Sequence, residues 1–205
     1  RSDPRVRADA GVTGAALEPV TVVLVRHAMP EVRRGVSSRL WTLGERGRED
    51  CVLLAHALTG PLAPVAFSSD EPKARETAAV IALRRGLRTA VDARFGEVDR
   101  PHEWVEDHAA LARRYLAGEP LPGWEPQDAV VARFAGAIAD AVTVEGGGDV
   151  VVATHGMAMT LWASAVAGIA DPVRWWEALT FPDAWRVDPR AGTLEHLYLG
   201  GTTAE

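Results

Sequence analysis

The stretch that decides the fold is VTVVLVRH, residues 20–27. Its apolar run, broken only by Thr21, is typical of a strand that is buried on both faces, as in a parallel sheet. A second stretch, GGGDVVVATHG at residues 146–156, has the same character: a glycine-rich turn, an apolar run and then a histidine. Both runs therefore predict buried strands, and each strand is followed at once by a histidine.

The rest of the chain alternates short β-branched runs with longer helical patterns. Further strands are predicted at 65–69 and 89–94, with a terminal hairpin over AWRVDPRAGTLEHLYL, residues 184–199. Helices are predicted over 45–60, 74–86, 103–118, 126–142, after His155, and from Asp171 onward. Strands separated by helices predict an α/β fold, a three-layer α/β/α sandwich with a mostly parallel central sheet. We expect residues 20–205 to form a single domain and residues 1–19 a flexible leader.

Composition excludes several classes of function. The formal net charge is −6, which argues against nucleic-acid and anionic-membrane partners because both require a basic surface. Cys51 is the single cysteine, so neither an internal disulfide nor a multi-thiolate zinc site can form, and we interpret it as a buried structural thiol. No apolar run approaches the ~20 residues that a transmembrane helix needs. We therefore expect a cytoplasmic protein.

Charged and imidazole side chains follow the predicted strands. Arg26 and His27 end the first strand, His155 ends the late one, and Lys73 follows the strand at 65–69. Lys73 is the only lysine among 22 lysine and arginine residues. Because ligands in such sheets bind beyond the carboxyl ends of the strands, these groups should converge. Two cations and two imidazoles suit a phosphoryl group, which Arg26 can bind with a bidentate fork and Lys73 with a point charge.

These segments resemble motifs of the histidine phosphatase superfamily, branch 1, the phosphoglycerate-mutase-like proteins. LVRHAMPE is similar to that family's Arg-His-Gly motif, SSDEPKARETA to its Ser-Ser-x-x-x-Arg-Ala-x-x-Thr-Ala motif, WTLGERGRED to its Trp-x-Leu-x-x-x-Gly stretch, and VVVATHGMAM to its second histidine segment. The resemblance implies that His27 is the nucleophile that becomes phosphohistidine. It implies that Arg26 binds phosphate and that His155 stabilises the phosphoryl group in the transition state.

The resemblance also marks departures. The family's second arginine corresponds to Lys73, which keeps the charge and loses the fork, with Arg75 as the fallback. Ala28 stands where the family has glycine, and Arg33 where it often has asparagine. Arg33 could add positive charge to the mouth of the site or face solvent.

A general acid is implied after the third strand, where DARFGEVDRPHEW offers several carboxyl groups. Glu97 fits the family placement best, with Asp99 as the alternative. To protonate a leaving group the acid must hold its proton near neutral pH, which burial or a neighbouring carboxylate would favour.

The resulting expectation is a phosphomonoesterase that acts on a small phosphorylated substrate through a phosphohistidine on His27, without a metal or another cofactor. A phosphoglycerate-mutase-type transfer and a non-catalytic phospho-ligand-binding protein are the alternatives, and a metallohydrolase is a remote third. Segments 30–42 and 96–126 are expected to cover the pocket, with Trp41 and Trp104 as candidate lining residues. The sequence does not name the substrate, and a homo-oligomer is possible.

Overall fold

Six strands form one sheet in the computed structural model, which describes residues 21–101, 107–144 and 147–203. In chain order they are β1 (Val22–Arg26), β2 (Leu62–Ser68), β3 (Arg88–Val91), β4 (Asp149–Thr154), β5 (Thr180–Asp188) and β6 (Thr193–Thr203). Their order across the sheet is β3-β2-β4-β1-β5-β6. The four strands from β3 to β1 are parallel, while β5 and β6 are antiparallel to their neighbours. The predicted mostly parallel sheet and terminal hairpin are confirmed.

Helices cover both faces of this sheet. They are α1 (Glu45–Ala57), α2 (Pro72–Arg85), α3 (His108–Leu116), α4 (Gln127–Val144), α5 (Gly156–Ala167) and α6 (Pro172–Ala178). Helices α1 and α2 pack on the face that carries Val23 and Val25, and α3, α4 and α5 pack on the face that carries Val22 and Leu24. Both faces of β1 are therefore buried, which explains its uninterrupted apolar sequence and confirms the three-layer α/β/α fold.

Several predicted boundaries differ from the structure; β2 begins three residues earlier than predicted, at Leu62, and α1 ends at Ala57. Strand β3 ends at Val91 because Asp92 turns the chain into a short 3-10 helix, its side chain accepting a hydrogen bond from the Arg94 N–H at 2.9 Å. Helix α2 begins at Pro72, so that Lys73 lies in its first turn and not before the helix. Helix α3 begins at His108; most of the predicted segment upstream of it, and the proposed leader at 1–19, lie outside the described residues.

Two smaller expectations concern Cys51 and the membrane. Cys51 is free and buried, and burial raises the pKa of its thiol to about 12, as expected for a structural and unreactive thiol. Within residues 21–101, 107–144 and 147–203, every helix is too short or too polar to cross a lipid bilayer.

The central position of β1 gives the first prediction. Leu24 is fully buried in the core between β1 and the helices of one face, so Leu24→Ala should lower the free energy of unfolding by about 2–5 kcal/mol. Leu83 on α2 is 80% exposed, and Leu83→Ala should change it by no more than about 0.5 kcal/mol. Urea unfolding of both variants tests this, and equal losses would contradict the assigned core.

Candidate active site

His27 lies at the carboxyl end of β1, where the chain leaves the sheet. Its backbone N–H donates to the carbonyl oxygen of Thr154 at 3.0 Å, so that the end of β1 is fixed against the end of β4. Its ring Nδ1 lies 2.8 Å from the carbonyl oxygen of Ala28. A carbonyl only accepts hydrogen bonds, so Nδ1 carries the ring proton and Nε2 keeps its lone pair.

The electrostatic surroundings keep this imidazole neutral. Burial lowers the pKa of His27 well below its usual value, and the positive charge of Lys73 and the neighbouring His155 lower it further. A neutral ring with a free Nε2 is the form of histidine that can attack an electrophile.

The turn after His27 is fastened to α2 by Thr77. The Ala28 N–H donates to Thr77 Oγ1 at 3.1 Å, and the same hydroxyl donates to the carbonyl oxygen of Lys73 at 2.8 Å. The Ala28 methyl group is buried in a small apolar cluster with Leu43 and Cys51. The methyl group of Ala28 therefore fills space in this cluster that the glycine of the family motif would leave empty.

His155 lies at the end of β4 and directly precedes α5. Its ring centroid is 5.2 Å from that of His27, with an edge-on angle of 63°. Its Nε2 lies 2.7 Å from the hydroxyl oxygen of Ser69, and among the described residues its buried Nδ1 has no hydrogen-bond partner. Burial, followed by the charge of Lys73, lowers the pKa of His155 well below its usual value.

Arg26 approaches the two histidines from the end of β1. Its Nη1 donates to the carbonyl oxygen of Leu179 at 2.8 Å, and its guanidinium carbon lies 3.6 Å from the ring centroid of Phe181. Its Nε is buried, and the described part of the chain offers it no acceptor. Burial lowers its pKa to about 10, against the opposing charges of Glu97 and Asp183, so Arg26 is positively charged at neutral pH.

Lys73 is the buried cation of α2. Its side chain is 6% exposed; Nζ donates to the carbonyl oxygen of Ser38 at 2.7 Å and to a carboxylate oxygen of Glu71. Arg75, the alternative, is exposed. The structure therefore brings Lys73, and not Arg75, to the histidines.

Glu97 follows the short 3-10 helix after β3, and its carboxylate lies against the first turn of α5. Oε1 accepts hydrogen bonds from the N–H groups of Val98 and Ala158 at 3.0 and 2.9 Å, and Oε2 accepts one from Met157 at 3.2 Å. A helix N-terminus favours a negative charge in this position.

The surroundings of Glu97 thus favour its ionised form in the free protein, opposite to the protonated form expected from the sequence. Burial alone would raise its pKa, but the nearby imidazole of His155, the positive charge of Arg100 and the backbone hydrogen bonds outweigh burial, and the pKa lies below its usual value. Asp99 is exposed, and one of its carboxylate oxygens lies 3.5 Å from Nη1 of Arg39. Of the two predicted carboxylates, the one that lies among the buried site residues is Glu97.

The remaining predicted residues lie farther out. Arg33 is exposed and forms an ion pair with Glu31 at 2.9 Å, which supports the solvent interpretation. The indole N–H of Trp41 donates to the carbonyl oxygen of Val36 at 3.1 Å, and Trp104 lies outside the described residues.

Several residues that support the site were missed from the sequence. Glu71 is buried against Lys73, and asking which anion balances a buried lysine would have pointed to it. Arg133 on α4 donates to the carbonyl oxygens of Gly96 and Glu97 at 3.0 and 3.1 Å, and so fixes the backbone that carries the carboxylate; its sequence context gave no signal. In the described part of the chain no cluster of three or more His, Cys, Asp and Glu residues could hold a metal ion.

Comparison with known proteins agrees with this arrangement. The family described as "Histidine phosphatase superfamily (branch 1)" matches residues 22–182, a range that includes Arg26, His27, Lys73, Glu97 and His155. The chain belongs to the histidine phosphatase superfamily. A search of the curated proteins finds no match to this chain.

Solved structures show the same fold. The mycobacterial glucosyl-3-phosphoglycerate phosphatase complexed with VO3 is 25% identical, with 81% of this chain and 90% of that chain covered and a TM-score of 0.64. YhfR from Bacillus stearothermophilus is 22% identical, covering 90% and 98%, with a TM-score of 0.67. A phosphoglycerate mutase from Bacillus anthracis is 17% identical, covering 92% and 94%, with a TM-score of 0.64.

The neutral histidines of this superfamily member predict an acid-sensitive fold. Because the native pKa of His155 is depressed, the unfolded chain binds a proton between about pH 6.5 and the native pKa that the folded state excludes, and stability falls as pH falls. Each such histidine contributes a slope of up to about 1.4 kcal/mol per pH unit in that window.

Replacing the ring should remove its share of that slope. We expect the unfolding free energy of the His155→Asn protein, measured in urea between about pH 5 and pH 7, to depend less on pH than that of the wild type. His56 is exposed, so His56→Asn should retain the wild-type slope. An unchanged slope in His155→Asn would show that His155 is not held neutral.

Proposed function

We propose that this protein is a phosphomonoesterase that forms a phosphohistidine on His27. The observation that carries the proposal is that His27, whose Nδ1 proton is bound by the carbonyl oxygen of Ala28, lies beside two buried atoms without partners among the described residues, the Nδ1 of His155 and the Nε of Arg26. Buried polar atoms usually find a hydrogen-bond partner in the protein. The oxygens of a phosphoryl group would accept hydrogen bonds from the Nε of Arg26 and the Nδ1 of His155, while its phosphorus would face the lone pair of His27 Nε2. The VO3 complex of the similar mycobacterial phosphatase supports this interpretation.

Phosphate binding would use the two buried cations. A phosphomonoester carries close to two negative charges at neutral pH. Arg26, charged and held by Leu179 and Phe181, offers Nε, and Lys73 offers the N–H that Ser38 and Glu71 leave unused. Because both cations are already desolvated and held in place, they need little reorganisation when charge develops in the transition state.

Two displacements at phosphorus complete the reaction. In the first, Nε2 of His27 attacks phosphorus, the P–O bond to the alcohol breaks, and the alcohol leaves with a proton from Glu97. In the second, water attacks the phosphohistidine, the P–N bond breaks, and Glu97 takes the proton from water. His155 donates a hydrogen bond to a non-bridging oxygen in both steps. Positioning and electrostatics supply most of the acceleration in phosphoryl transfer.

The proton for the first step comes with the substrate. Glu97 is ionised in the free protein because the α5 N–H groups and the neighbouring cations stabilise its carboxylate. A phosphomonoester has a second pKa near ~6, so its monoanion carries one proton into the site. Transfer of that proton to Glu97 gives the protonated acid beside a dianionic phosphoryl group, which itself favours the neutral form of a nearby carboxyl group.

The substrate class follows from charge. With a net charge of −6, a small phosphorylated molecule suits the chain better than a nucleic acid or an anionic membrane.

Replacement of the nucleophile tests the reaction. His27→Ala should reduce phosphate release from a panel of sugar and hydroxy-acid monoesters to the level of buffer, because no other described group has a free nucleophilic nitrogen at this position. His56→Ala replaces an exposed histidine and should retain full activity. The wild-type protein should also acquire an acid-labile, base-stable phosphoryl label on His27. An active His27→Ala protein would refute the mechanism, and isomerised phosphoglycerate without free phosphate would indicate a mutase.

The role of Glu97 has its own test. Glu97→Gln should slow first-turnover release of an alkyl alcohol by about 100-fold or more, because a poor leaving group needs a general acid. Release of p-nitrophenol in the first turnover should fall much less, since p-nitrophenolate leaves without protonation. Rapid-quench measurements with glycerol phosphate and p-nitrophenyl phosphate compare the two. Equal losses would mean that Glu97 positions the site but donates no proton.

A further inference from the structure

We propose that Glu71 is a positioning residue that holds Lys73 charged and aimed at the phosphoryl group, so that the two side chains together replace one arginine. The inference rests on the proposed phosphate site. It assigns a role to a residue that neither the sequence motifs nor the family match identifies.

The geometry starts from a buried ion pair. The side chains of Lys73 and Glu71 are 6% and 5% exposed, and Nζ of Lys73 donates directly to Oε2 of Glu71. A second N–H of Nζ donates to the carbonyl oxygen of Ser38 at 2.7 Å. An ammonium group has three donors. With two of them engaged by different partners, the direction of the third is fixed.

Glu71 also reaches the second histidine. Its Oε1 lies 3.7 Å from Nε2 of His155. Its backbone N–H donates to the hydroxyl oxygen of Ser69 at 3.3 Å, and that hydroxyl lies 2.7 Å from the same Nε2. The carboxylate of Glu71 thus contacts Lys73 and faces His155, both of which belong to the proposed phosphate site. A residue in this position can fix the two side chains relative to each other.

The charge balance makes Glu71 the main support of the lysine. Burial lowers the pKa of Lys73; Glu71 opposes this by its charge and its hydrogen bond, Glu97 opposes it from farther away, and Arg100 adds to the lowering. The imidazoles of His27 and His155 also face this ammonium and lose basicity because of it. Removing Glu71 would leave a buried ammonium whose cheapest response is to lose its proton.

The Glu71–Lys73 pair differs from an arginine in how its positive charge depends on pH. A guanidinium stays charged at every pH that a protein tolerates, whereas the charge of a buried lysine depends on its carboxylate partner. Phosphate binding should therefore weaken as pH rises through the Lys73 pKa, and the loss should come at lower pH when Glu71 is neutral.

The sequence supplies a direct probe, because Lys73 is the only lysine in it. Protein labelled with 13Cε-lysine gives one side-chain NMR signal that needs no assignment, and a pH titration of that signal reports the ionisation of Lys73. In Glu71→Gln the midpoint should move to lower pH than in the wild type. Asp70 is exposed and adjacent, so Asp70→Asn makes the same charge change without touching Nζ and should leave the midpoint in place.

Calorimetric binding of inorganic phosphate gives the second readout. At a pH below its own Lys73 midpoint, Glu71→Gln should bind phosphate at least as tightly as the wild type, since Lys73 is still charged and a nearby anion is gone. At a pH between that midpoint and the wild-type midpoint, it should bind phosphate about tenfold more weakly, the weight of one charge-assisted hydrogen bond. The double variant Glu71→Gln/Lys73→Arg should lose this dependence, because arginine stays charged. A merely structural role for Glu71 would not reverse sign with pH.

The outcomes separate this inference from the proposed function. An unchanged lysine midpoint in Glu71→Gln overturns the role of Glu71, whatever the activity. A wild-type protein that binds no phosphate refutes the phosphate site, while the lysine titration still decides whether Glu71 holds the charge. If Glu71→Gln does not fold, Glu71→Asp, which keeps the charge but shortens the reach, should lower the midpoint as well, and a wild-type midpoint there would overturn the inference.

Discussion

The parallel pairing of β1 with β4 is the constraint on which the site depends. Arg26 pairs with Thr154 in the register of these strands, and the N–H of the next residue, His27, bonds to the carbonyl oxygen of Thr154. A shift by one residue would send alternate side chains to the opposite face of the sheet. Both faces of β1 are buried, and its register is held by pairing with β4 on one side and with β5 on the other. The same pairing sets where α5 begins, and so where the carboxylate of Glu97 finds its N–H donors.

The second constraint on the site is the balance of its buried charges. The site buries Arg26 and Lys73 among two imidazoles, and such charges are costly unless anions lie near them. Glu71 contacts the lysine directly, while Glu97 and Asp183 act on Arg26 through space. The imidazoles respond by remaining neutral, which is also what a histidine nucleophile requires. Stability and the proposed chemistry therefore call for the same ionisation states in the free protein.

Apolar runs were enough to predict the central strands, and the order of histidine and cation segments was enough to predict which side chains would meet. The ionisation of Glu97 was not predictable, because it depends on where the first turn of α5 lies relative to a loop far away in sequence. Glu71 and Arg75 flank the lone lysine at equal distance in the sequence, yet one is buried and the other exposed. Only the start of α2 at Pro72 decides between them. The sequence prediction extended β3 to residue 94 because the pattern did not identify Asp92, which caps the following 3-10 helix, as the residue that ends the strand.

Gly156 allows the guanidinium of Arg26 to lie close to the histidine pair. A Cβ atom at this position would lie 3.2 Å from Nε of Arg26 and 2.9 Å from Nε1 of Trp176. The absence of a side chain therefore lets the guanidinium approach the start of α5, beside His155. A side chain here would require Trp176 and Arg26 to shift, and with Arg26 the unpartnered donor that a phosphoryl oxygen would use in the proposed reaction. Gly156 is therefore needed for the room that it leaves and not for its backbone conformation. Because Arg26 occupies that room, its position depends on the position of α5, whose N-terminal N–H groups bind the carboxylate of Glu97.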